Sequence, residues 1–140
     1  MRVTRSAPAL LSFEPMHIEL RVPDTLDARL QVRTYDPELE DIRAILAEVC
    51  EVLEGHVQFL VSGFGQDPWP VDVWKDLTAS MEQLPTALRA VKSGQDAEIH
   101  FYEQGIERWL LLYPAGEDVY RVFCVSGALG WDPTPRGGAT

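Results

Sequence analysis

The sequence predicts an α+β fold, with a mainly antiparallel sheet of about six or seven strands and two helical segments, residues 37–54 and 77–92, packed on one face. Three observations predict it. Apolar and polar residues alternate with a period of two in several short runs, as half-buried strands require. Between them, apolar residues recur at steps of three and four, which marks a helical face. Glycine, proline and aspartate fall between these runs, where turns belong.

Residues 16–22 (Met-His-Ile-Glu-Leu-Arg-Val) alternate, and Pro23-Asp24 marks a turn. Residues 28–35 alternate again, with Leu30 and Val32 on one face, so a first hairpin is the simplest reading. Asp36-Pro37-Glu38 then opens a helix, since aspartate caps, proline suits the first helical position and acids favour the positive end of the dipole. Leu39, Ile42, Leu46, Val49 and Leu53 form its apolar face, and Gly55 stops it. Its other side carries Glu40, Asp41, Glu48, Glu51 and Glu54 against one base, Arg43. Such a charge run reads first as a solvated face.

Residues 56–63 read as a strand with Val57, Phe59 and Val61 on one side. Two glycines and two prolines then exclude regular structure from Gly63 to Pro70. Val71–Trp74 reads as another short strand. Residues 77–92 are helical through Leu77, Met81, Leu84, Leu88 and Val91, with a kink or a division expected at Pro85. The last third is a β-meander of residues 97–103, 106–113 and 119–126, turning at Gln104-Gly105 and at Ala115–Asp118. An F-x-V-S-G pattern occurs at Phe59–Gly63 and Phe123–Gly127, but nothing around it matches, so it is no duplication.

A chain of 140 residues is one domain by size, here 1–140 with loose tails expected at 1–14 and 132–140. Twelve Lys and Arg face twenty-two Asp and Glu, a formal charge of −10. That balance argues against nucleic acid, whose affinity comes from bases neutralising phosphates, and against an anionic membrane surface. It favours a basic protein partner. No apolar run approaches the ~20 residues needed to span a bilayer, and the N-terminal apolar stretch is broken by Pro8, so a cytoplasmic location is expected. Cys50 and Cys124 sit among apolar neighbours and read as small buried hydrophobes.

The search for chemistry is largely negative. His17, His56 and His100 show no metal-ligand spacing, and no C-x-x-C occurs, so no metal and no cofactor are expected. Gly63-Phe64-Gly65 lacks the third glycine of a phosphate loop, and Pro68 and Pro70 stand where a helix N-terminus should offer its amides. No G-x-S-x-G elbow surrounds a serine. No catalytic residue is assigned.

Two surfaces remain. On the stiff loop 65–70, Trp69 with Asp67 and nearby Asp72 has the composition of an interface hot spot, unless Trp69 folds back over the core. The second follows from register. A two-residue turn at Gln104-Gly105 opposes Ile99 to Leu110 and His100 to Trp109. Ala97, Ile99, Phe101, Ile106, Leu110 and Leu112 then share the core side. Glu98, His100, Tyr102, Glu107, Trp109, Leu111 and Tyr113 share the other, and a four-residue second turn adds Tyr120. Aromatics among acids have interface composition, unless the N-terminal hairpin or a helix covers them.

The stretch Ser62–Gly65 through Trp69–Val73, then Glu82-Gln83-Leu84-Pro85 and Phe101–Arg108, resembles small bacterial proteins of the actinobacterial type, often encoded beside secreted polymorphic toxins. Over residues 56–126 the chain is similar to the general pattern of their immunity proteins, which are short, acidic, cytoplasmic and α+β. The resemblance implies a protein-binding module that neutralises a cognate toxin domain by occluding its basic active-site surface. The alternative is a small-ligand binder or an enzyme with a pocket between sheet and helices, around Glu98, His100 and Tyr102. A homodimer through the tyrosine-rich face is a third reading.

Overall fold

The computed structural model describes residues 2–3, 16–27, 29–103, 105–127 and 130–133. The fold is α+β, with two helices and antiparallel strands. The strands divide into two sheets rather than forming one of six or seven. In the first, β2 (Met16–Arg21) pairs antiparallel with β3 (Gln58–Ser62), and the two-residue β1 (Arg2–Val3) bridges to the other edge of β2. The second is the meander β4 (Ala97–Phe101), β5 (Arg108–Gly116) and β6 (Val119–Ser126). One core joins both sheets and the helices: Phe59 and Val61 from β3, Ile99 and Phe101 from β4, Leu110 and Leu112 from β5, and Val122 and Cys124 from β6 share it with Cys50, Leu77 and Ala87.

The expected first hairpin does not form. Residues 29–35 make no regular structure, and Ala28 lies outside the described residues. β2 pairs from His17 to Arg21 with β3, and β1 meets only its start, at Met16 and His17. The segment is stitched to the first helix instead. Arg33 donates from Nε to the Glu48 carboxylate at 2.8 Å and also bonds Glu40.

That helix, α1, spans Ile42–Leu53 rather than 37–54. Asp36 does cap, but what it caps is a separate turn: Leu39 and Glu40 donate their N–H groups to the Asp36 carbonyl, and Glu38 donates to its side chain. Asp41 is the helix cap, accepting from the Arg43 N–H at 3.0 Å. The buried side is consequently rotated. Ile45 and Cys50 are buried, while Leu39 and Ile42, expected on the core face, are exposed.

Val71–Trp74 is not a strand. Residues Val73–Leu77 make one π turn, with Leu77 donating to the Asp72 carbonyl, and run directly into α2 (Thr78–Lys92). The helix is continuous through Pro85 rather than divided there. Pro85 cannot donate to the Met81 carbonyl, but both residues are exposed, so the carbonyl left without that donor is on the solvent side. Against the packing of both helices on one sheet face, α1 packs on the π turn and α2, and α2 alone lies along β4.

The chain stays packed further than its composition suggests. Arg2, placed by sequence in a loose tail, pairs with His17 across β1 and β2, and Pro133 is buried. Apart from Arg2, Val3, Asp132 and Pro133, both expected tails lie outside the described residues.

Candidate protein-binding face

The register of β4 and β5 builds this face. Ile99 pairs with Leu110, His100 with Trp109 and Phe101 with Arg108. The turn closes with the Ile106 N–H donating to the Glu103 carbonyl at 3.2 Å; Gln104 itself lies outside the described residues. Alternation then buries Ile99, Phe101, Ile106, Leu110 and Leu112, and turns Glu98, His100, Tyr102, Trp109, Leu111 and Tyr113 outward. Among the described residues no helix or strand covers the outward side. Tyr102 is 38% exposed, Trp109 36%, Tyr113 40% and Val125 46%.

The third strand corrects the expectation for Tyr120. A bulge between Pro114 and Gly116 absorbs one residue, so the turn is the two residues Glu117 and Asp118 and Pro114 pairs with Tyr120. Tyr120 therefore points inward, and its hydroxyl donates to the Val91 carbonyl at 3.0 Å. Phe123 and Val125 join the outer face in its place, with Arg121 opposite Tyr113. Pro114 and Gly116, which flank the bulge, are its signal in the sequence.

The rings form a row in two groups, with no ring contact between the groups among the described residues. His100 stacks on Trp109, with ring centres 3.8 Å apart and planes at 12°. Tyr102 meets His100 edge-on at 5.8 Å, and Tyr113 meets Phe123 edge-on at 5.6 Å. The row is fixed from the side by Gln83 of α2. Its amide donates to the His100 carbonyl at 2.7 Å and accepts from the His100 N–H at 2.7 Å. Gln83 thus occupies the edge of β4 as another strand would. Burial lowers the imidazole pKa below the usual histidine value, against the opposing charge of Glu98.

Beyond the row, Tyr102 donates its hydroxyl to Glu82, whose other oxygen accepts from Arg43 Nε at 2.7 Å. Burial, and then the Glu82 hydrogen bond, pushes the Tyr102 phenol up to about 12. Arg43, Glu82 and Gln83 had no signal in the sequence, because the fold alone brings α1, α2 and β4 together.

The other candidate surface separates into unlike parts. Trp69 is 2% exposed and belongs to the core, so it is no surface anchor. Its indole N–H donates to the Gly63 carbonyl at 2.9 Å, and its ring meets Phe101 and Trp131 edge-on. Asp72 caps the π turn, accepting from the N–H groups of Lys75 and Asp76. Only Asp67 of that group stays exposed without a structural duty shown. The Gly63–Gln66 loop closes on itself through reciprocal backbone bonds. Gly63 is needed there: a Cβ would stand 3.2 Å from the Met16 backbone, at a φ of +138°.

Of the acids on and beside α1, Glu40 and Glu48 hold Arg33, Asp41 caps the helix and Glu54 accepts from the Trp74 N–H, while Glu51 is exposed. Arg108 is a residue that sequence reasoning passed over. It is 3% exposed, with its guanidinium carbon 4.4 Å from the Trp69 ring centre and 3.4 Å from that of Trp131. Its Nε and Nη1 have no hydrogen-bond partner, and burial pushes its pKa down to about 10.

Among the described residues no group of three or more His, Cys, Asp or Glu side chains could hold a metal ion, and no helix is long and apolar enough to cross a membrane. Compared with protein-family models, curated proteins and solved structures, the chain matches none.

Proposed function

We propose that this chain is a protein-binding module whose outer β4–β5–β6 face captures a basic protein. The observation that carries the reading is the set of exposed Tyr102, Trp109 and Tyr113 with half-buried His100 and Phe123 packed against them, bordered by Glu98 and Glu107. Large rings held by their neighbours lose little entropy on binding and supply contact area. A formal charge of −10 steers a cationic partner toward such a face and speeds encounter. The biological form we favour is that of an immunity protein, whose cognate toxin domain presents a basic active-site surface for it to occlude.

The small-ligand or enzymatic reading has less support. Glu98, His100 and Tyr102 stand side by side on a sheet face, and the cavities at Asp41–Gln83 and at Val91–Tyr120 are lined by other side chains. The test is affinity capture from the host lysate at low and moderate salt, with wild type beside Trp109→Ala/Tyr113→Ala. A basic protein retained stoichiometrically by wild type, and lost with the double variant, supports the reading. A partner held equally by both excludes this face.

A further inference from the structure

We infer that the partner contributes an arginine side chain that enters the cleft between α1 and α2 and takes the Glu82 carboxylate from Arg43. The inference rests on the protein-binding reading and extends its surface. The cleft, about 530 Å³, is lined by Asp41, Ile42, Arg43, Glu82 and Gln83. It is continuous with the aromatic row, because Tyr102 at the end of that row donates to Glu82 and Gln83 holds His100. A protein seated on the rings therefore meets the Glu82 carboxylate beside Tyr102, in addition to Glu98 and Glu107 at the border.

Arg43 has the marks of a placeholder. The Glu82 side chain is 9% exposed and that of Arg43 67%, so the acid is sheltered while its partner stands in water. Arg43 reaches Glu82 through Nε and makes no second hydrogen bond to that carboxylate, whose other oxygen belongs to Tyr102. A forked contact of two parallel bonds, the strong form of this pairing, is not made. Arg43 also sits in the first turn of α1, where the helix dipole disfavours a cation. Removing it leaves a sheltered carboxylate without its cation. An incoming guanidinium finds Glu82 and Asp41 together, and exposed Ile42 offers apolar surface for its aliphatic stem.

The test is a titration of the full chain with acetylated hexa-arginine amide at low salt, followed in ¹H–¹⁵N spectra, with hexa-lysine as a comparison. Shifts are expected both at the Trp109 indole and at Arg43 and the Gln83 side-chain amide, with hexa-arginine binding more tightly. Arg43→Ala should tighten hexa-arginine binding about five- to tenfold, and Glu82→Gln should weaken it by a similar factor. Arg29→Ala removes one positive charge elsewhere and should change the affinity much less. Equal tightening by Arg29→Ala, or no tightening by Arg43→Ala, overturns the inference. Shifts at Trp109 and none in the cleft overturn it while leaving the binding face intact. No shift at either place removes both.

Discussion

The imidazole of His100 lies flat on the indole of Trp109, centres 3.8 Å apart, although the two residues come from different strands. Each ring limits the motion of the other, and both stand on a side of the sheet that carries no core. Trp109→Ala should therefore cost only about 1–2 kcal/mol of stability, the scale of one aromatic pair plus its partly exposed area. Thermal melts should stay cooperative while partner binding is lost. A variant that fails to fold would place Trp109 in the structural framework.

Trp69 should behave in the opposite way. Truncation removes a fully buried indole, its bond to the Gly63 carbonyl and its contacts with Phe101, Trp131 and Arg108. Trp69→Ala should cost roughly 3–5 kcal/mol. Denaturant unfolding of the two alanine variants side by side checks the contrast.

Gln83 satisfies the N–H and C=O of His100 on the free side of β4, and Gln83→Ala strips both. The expected loss is about 1–3 kcal/mol, with hydrogen exchange at the His100 amide accelerating more than in β5. Unchanged exchange would show that water replaces the side chain without cost.

Asp76 is buried in the π turn. Its Oδ2 accepts from the Asp72 N–H, and its Oδ1 has no partner. Burial foremost raises its pKa to about 6 from 3.8, against the hydrogen bond from the Asp72 N–H, with the charges of Asp72 and Glu103 adding to the rise. A carboxyl raised on folding favours the native state only while protonated, so its contribution is lost as pH climbs from about 4 to about 6. Asp76→Asn keeps an oxygen for the Asp72 N–H and has no charge to bury. The difference in Tm, variant minus wild type, should grow over that interval and level off above it. A pH-independent difference would mean that Asp76 ionises normally.

Cys50 and Cys124 are both buried free thiols. Burial pushes Cys124 up to about 12, against the nearby charge of Arg108, and also raises Cys50, against a hydrogen bond with Thr78. At pH 8 neither should react with an aromatic disulfide reagent in the native protein, and two equivalents should react in denaturant. Fast native labelling would show that the core opens around one of them.

What could be read from the sequence follows how local the determinant is. The β4–β5 register was legible because one short turn and an unbroken alternation fix it, and the same arithmetic placed His100 opposite Trp109. The start of α1 was misread because Asp36 and Asp41 are both competent caps, and only packing chooses between them. The fate of residues 29–35 depended on Arg33 meeting Glu40 and Glu48, contacts made across the chain rather than within the segment. Trp69 was ambiguous for the same reason: a proline-flanked indole can face either way until Phe101 and Trp131 are in place.

The bulge at the tip of the β5–β6 hairpin also sets how this protein tolerates changes in length. Ala115 is the residue left over between the pairs Pro114–Tyr120 and Gly116–Val119. Losing it would leave a regular ladder closed by Glu117 and Asp118, with Tyr120 still inward and Phe123 still outward. Losing one residue between Tyr120 and Ser126 would instead exchange the two sides of β6 beyond the lesion, sending Phe123 or Val125 into the core. Natural one-residue deletions in this hairpin should therefore cluster at its tip and be excluded from the strand six residues away.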